Sequence, residues 1–139
     1  MLKINRKTEY AIRGMIYLAR QSRDQFVMIK EITKGTKTSP VFMTKIFQAL
    51  SNANLIVSSR GASGGLRLSR KPEHITLREI VEAIEGPVIM NLCVMDTKSC
   101  GFSGVCSAHV AWKKIKDSIN NMLEDVTLKE IAENRSQSR

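Results

Sequence analysis

The stretch "SPVFMTKIFQALSNANLIVSSRGASGGLRLS", residues 39–69, changes its hydrophobic period in the middle, and that change limits the folds open to the chain. In its first half Met43, Ile46, Phe47 and Leu50 recur at three and four, the spacing of one helical face. Ser39 is suited to cap that helix and Pro40 to occupy its first position, and Asn52–Asn54 end it. From Leu55 onward two short apolar segments flank a glycine-rich turn, the pattern of a β-hairpin. Upstream, Tyr10, Ala11, Met15, Leu18 and Ala19 predict a helix over 9–20, and a shorter helix fits Ile29 to Lys34 with "KGTKT" as the turn after it. Two helices joined by a tight turn and followed by a hairpin are in the order of a winged helix-turn-helix.

Beyond the hairpin, "TLRE" at Thr76–Glu79 is a capping box that opens a helix running to about Glu85, where Gly86 and Pro87 stop it. Ala108, Ala111, Trp112, Ile115, Ile119 and Met122 then mark one face of a long helix. A second box, "TLKE" at Thr127–Glu130, starts a last short helix before a polar tail. The expected architecture is mainly α with a small β-hairpin wing. It divides into a winged helix-turn-helix DNA-binding domain over 1–86, a cysteine-rich loop over 87–107, and a long C-terminal helix with its tail over 108–139.

Charge follows the same division. Residues 1–80 carry 15 Lys and Arg against 5 Asp and Glu, whereas residues 81–139 carry 7 against 8. An N-terminal half that meets a polyanion accounts for this asymmetry; a merely solubilising surface is the plain alternative. The longest early apolar run, "MIYLA", is too short for a membrane span or a secretory signal, so a cytoplasmic protein without a membrane partner is expected.

In a winged helix the second helix of the pair enters the major groove of double-stranded DNA. Here its early positions are Ser39, Val41, Phe42, Thr44, Lys45 and Gln48, where Val41 suits a thymine methyl and Thr44 and Lys45 suit base edges. On the hairpin, Arg60, Gly61, Ser63 and Arg67 are the expected wing contacts, with the two guanidinium groups aimed at phosphates or a narrow minor groove. With aromatic residues at 5%, no stacking platform for single strands is apparent.

All three cysteines, Cys93, Cys100 and Cys106, lie in "CVMDTKSCGFSGVC", and His109 follows. An odd cysteine count in a reducing compartment argues against a disulfide framework. Structural zinc prefers paired ligands two to four residues apart, whereas these wide, glycine-containing gaps suit a loop wrapped around a larger iron–sulfur cluster. Zinc and a thiol redox switch stay open beside the cluster. A Cys106–His109 nucleophile–base pair is a further reading, although no oxyanion or substrate site accompanies it. His109 alone reads more often as a helix-capping or surface histidine than as a ligand.

"TEYAIRGMIYLA", "FMTKIFQALSNANLIVSSRGASGGLRLS", "ITLREIVEAIEG" and the Cys–Cys–Cys–His–Trp run together resemble the Rrf2 family of bacterial winged-helix regulators, including its IscR-like and NsrR-like members. The resemblance spans roughly residues 2 to 133. It implies a homodimer joined through the long C-terminal helix, an operator-binding winged helix, and an iron–sulfur cluster that alters operator binding. It also implies that Cys93, Cys100 and Cys106 are the cluster thiolates and that His109 is the fourth ligand, as in IscR-like members that hold a 2Fe–2S cluster; 4Fe–4S is the alternative. Glu9 stands where some NsrR-like members supply a carboxylate from the partner subunit instead. The chain departs from the IscR-like pattern in a first cysteine gap longer by one residue. It also has Thr44 in place of an acidic residue, Lys45 in place of a neutral one, and a wing without the usual proline.

Overall fold

The computed structural model describes residues 3–61, 64–88, 101 and 106–134. Helix α1 spans Arg6–Ala19, three residues longer at its start than the apolar pattern predicts. Its first turn is polar and carries no periodic signal; Asn5 nucleates it by accepting the Lys7 amide at 3.1 Å. Helix α2 spans Ile29–Thr36 and ends on Lys37 in the left-handed conformation, φ 57°. Helix α3 spans Pro40–Asn52, with the Ser39 hydroxyl accepting the Phe42 amide at 3.2 Å as the sequence predicts. Met43, Ile46, Phe47 and Leu50 are all buried, so the inward face is the one that the period assigns.

Strands β1 (Ile56–Ser59) and β2 (Gly65–Leu68) pair antiparallel with Ile56 opposite Leu68 and Ser59 opposite Gly65. A third segment joins them: Val27 and Leu66 exchange both amide hydrogen bonds at 2.8 Å. Gly65 makes this approach possible, because a Cβ there would fall 2.5 Å from the Val27 carbonyl oxygen. The wing is thereby stitched to the segment between α1 and α2, and Ile56 and Leu68 enter the core shared by the three helices. Burying each such side chain stabilises the fold by about 1.5–3 kcal/mol.

After a 3₁₀ turn at Pro72–His74, helix α4 spans Leu77–Glu85. Both halves of its capping box are present: Thr76 Oγ1 accepts from the Glu79 amide and Glu79 Oε2 accepts from the Thr76 amide, each at 3.2 Å. Gly86, φ 78°, closes the helix. Helix α5 spans Ser107–Asp125 and helix α6 spans Leu128–Glu133, whose start is capped by Thr127 accepting the Glu130 amide at 3.2 Å.

The two Thr-Leu-x-Glu segments also meet each other. Thr76 and Thr127 form an antiparallel bridge in which Leu77 donates to the Val126 carbonyl and Leu128 donates to the Ile75 carbonyl, both at 2.8 Å. Leu128 is fully buried in the core formed by residues 11–80, and Arg20 Nε donates to the Ala132 carbonyl at 3.0 Å. Helix α6 therefore packs into the same body as the winged helix. Arg78 adds an electrostatic tie from α4 to α5, meeting Glu82 at 3.0 Å and Glu124 at 3.5 Å. Hydrogen bonding and charge from Glu82 raise the proton affinity of that guanidinium still further. Helix α5 itself buries no residue.

Candidate nucleic-acid interface and cysteine site

Helix α3 presents Val41, Thr44, Lys45 and Gln48 to solvent, and Val41 is 73% exposed. Ser39 is committed to its cap. The Thr44 hydroxyl donates to the Pro40 carbonyl at 2.7 Å, which spends its proton and leaves it an acceptor. Phe42 departs from the outward reading. Its ring is half-buried and meets Tyr10 edge-on, with centroids 5.4 Å apart, so it fixes α3 against α1 rather than facing outward.

The wing separates its two arginines. Arg60 and Gly61 are exposed beyond the end of β1, at the turn. Arg67 is not at the turn: it pairs across the sheet with Val57, and its guanidinium lies over the Phe26 ring at 4.5 Å. That contact holds Arg67 against the α1–α2 connection, so its guanidinium is engaged within the chain while Arg60 stands at the turn. Ser63 lies outside the described residues. Tyr10 and Phe26 are partners that sequence reasoning missed. Tyr10 reads as one more apolar position of α1, and nothing local couples Phe26 to a residue 41 positions away.

Of the cysteine set, Cys93 and Cys100 lie outside the described residues. Cys106 is half-buried at the N-cap of α5, and the His109 amide donates to its carbonyl at 3.1 Å, so both side chains spring from one helical turn. His109 Nδ1 is buried, and among the described residues it has no hydrogen-bond partner. A buried ring nitrogen without a partner carries an uncompensated desolvation cost that a hydrogen bond or a metal bond removes. Glu9 is exposed on the first turn of α1, in a groove with Lys3, Asn5, Arg6 and Glu85. Glu85 binds the start of the same helix, accepting the Asn5 amide at 2.7 Å.

Comparison with known proteins gives this arrangement a context. Residues 4–134 match the Rrf2 family, whose description is "Iron-dependent Transcriptional regulator". NsrR of Bacillus licheniformis is 27% identical over 139 residues, with 99% of this chain and 97% of that protein covered. Among solved structures, CymR of B. subtilis, a global cysteine regulator, superposes with a TM-score of 0.78 at 28% identity, covering 98% of this chain and 100% of that one. IscR of T. potens superposes with a TM-score of 0.71 at 29% identity, covering 99% and 93%.

Proposed function

The chain belongs to the Rrf2 family of transcriptional regulators, and from that premise we propose a homodimeric operator-binding protein in which Cys93, Cys100, Cys106 and His109 hold an iron–sulfur cluster that alters DNA affinity. Its relatives are regulators and not enzymes, which removes the nucleophile–base reading of Cys106 and His109. The observation that carries the cluster reading is the buried Nδ1 of His109, without a hydrogen-bond partner among the described residues and on the same turn as Cys106. Three thiolates and an imidazole are a donor set for iron–sulfur chemistry, with 2Fe–2S favoured by the resemblance to IscR-like members. When bound, such a cluster supplies iron sites that oxygen, nitric oxide or iron shortage can alter.

The protein's own residues link this site to DNA. Cys106 and His109 anchor the N-terminal turn of α5, and α5 packs on α4. Helix α4 packs in turn on α1 and α3 through the fully buried Ile80 and its neighbours. A change of ligand state therefore acts at one end of a continuous packed path whose other end carries Lys45 and Gln48. It shifts operator affinity only to the extent that ligands bind the two arrangements differently. The solvent-facing stripe of α5 supports a dimer, which reads half-sites about 34–36 Å apart.

The test is anaerobic purification with visible absorbance, iron and acid-labile sulfide, repeated for His109→Ala and Glu9→Ala. Iron with sulfide, lost or destabilised in His109→Ala and retained in Glu9→Ala, is the expected result. The reverse pattern moves the fourth ligand to Glu9. One tightly held zinc without colour overturns the cluster, and metal-free protein whose DNA binding responds to thiol oxidation replaces it with a direct cysteine switch. On the DNA side, Lys45→Ala and Arg60→Ala each weaken operator binding while leaving the dimer intact, and Arg60→Ala, at a phosphate position, also lowers the salt slope by about one.

A further inference from the structure

A groove of about 470 Å³ opens between α1, the C-terminal end of α2, and α6, away from the cysteine segment. Arg13 of α1, Arg20 after it and Lys37 after α2 line it, and among the described residues no Asp or Glu does. Elsewhere in the molecule Arg70, Arg78 and Lys129 meet carboxylates. Among the described residues, Arg13, Arg20 and Lys37 meet none. Three unpaired cations around one concavity repel one another, and a concave wall focuses their field on whatever enters.

Two of the three side chains are held in place. The Arg13 guanidinium lies over the Tyr10 ring at 5.3 Å, which orients its plane and leaves its edge donors open. Arg20 uses Nε on the Ala132 carbonyl at 3.0 Å, which leaves its terminal nitrogens. Lys37 adopts a left-handed backbone, φ 57°, that a non-glycine residue takes only at a cost. Tyr17 lies against Gly35 so closely that any side chain there would strike its ring, which brings the end of α2 to the groove. Arg20 and Lys37 follow the last residues of α1 and α2, where a cation also answers the helix dipole. Arg13 stands in the middle of α1 and has no such role.

The volume lies in the range of small-molecule sites, about 300–1,000 Å³. Arg13 and Arg20 are seven residues apart, about 10 Å of rise along the helix axis, a spacing that two acidic groups on one ligand match better than a single one. We propose that this groove binds a small organic polyanion with two separated acidic groups, carboxylate or phosphate, one facing Arg13 and the other facing Arg20, with Lys37 between the α2 end and the ligand. The assignment does not depend on the cysteine reading.

The test uses the full chain, with thermal unfolding and calorimetric titration against citrate and fructose 1,6-bisphosphate. Inorganic phosphate and sodium chloride at matched ionic strength serve as controls. One two-acid probe is expected to saturate and to raise Tm by roughly 4 °C at ten times its Kd, well beyond either control. The responding probe distinguishes carboxylate from phosphate. Arg13→Gln and Lys37→Gln, made separately so that one does not disturb Tyr10, are each expected to weaken binding at least about tenfold with unchanged circular dichroism. The proposal fails if neither probe binds more tightly than about 10 mM, or if the shift persists in both variants. It also fails if the variants lose operator affinity and salt slope while probe binding is unchanged, which makes these residues DNA-backbone contacts.

Discussion

Met15, Ile32, Met43 and Leu50 of the winged body are fully buried, whereas α5 buries none of its 19 residues and leaves Val110 and Met122 68% exposed. The two regions are not distinguished by a lack of apolar material, since Trp112, Ile115 and Met122 recur on one stripe of α5. They differ in where the partner surface lies. In the body, α1, α3, the wing and α6 supply one another's partners, so each apolar face is satisfied within the chain. An isolated helix of this length gains little from its own hydrogen bonds and takes its stability from what its apolar face is packed against.

Substitutions on the two sides should therefore behave differently, and the largest effect is expected in the body. Leu50→Ala should destabilise by about 2–5 kcal/mol, measured by denaturant unfolding, with the same loss at every protein concentration. Ile115→Ser on α5 should lower Tm by several degrees at high protein concentration, and the loss should shrink on dilution as a second copy leaves the stripe. An equal loss at all concentrations would break the comparison, because the stripe would then be covered within the chain. Ser39→Ala removes one cap from α3 and is expected to cost about 1 kcal/mol, again independent of concentration. The smallest effect concerns Glu73, whose carboxyl is held below the usual carboxylate range by a hydrogen bond from its own backbone and, less strongly, by Lys129 and Lys71. A depressed folded value means stability present above the unfolded value, near 4.3, and lost as pH falls through the folded one. Glu73→Gln should slightly lower stability at neutral pH and flatten the acid limb, so that the variant and the parent chain converge at low pH.

Local signals account for what was legible. The inward face of α3, the Ser39–Pro40 start, the Thr76–Glu79 box and the hairpin are each written within a few residues of where they act, and each is found there. What escaped the sequence is contact across long separations. Val27 joining β2, Phe42 turning to Tyr10 and Arg67 lying over Phe26 have no periodicity to announce them, because each depends on how finished elements meet. The candidate site divides the same way. Cysteine and histidine chemistry is visible as residue type and spacing, whereas the burial of His109 Nδ1, without a partner among the described residues, depends on the packed structure.

The bridge between Thr76 and Thr127 has a geometric consequence. It fixes the first residue of α4 and the end of α5 at one point, so the two helices are arms of a compass with a pinned joint and Arg78 braced across it. The arms are unequal, about 13 Å and 28 Å long for 9 and 19 residues, and residues 86–106 connect their far ends. For a given rotation about that joint, the longer arm is displaced most at its N-terminal end, where Cys106 caps it. The short arm, meanwhile, is seated on α1 and α3.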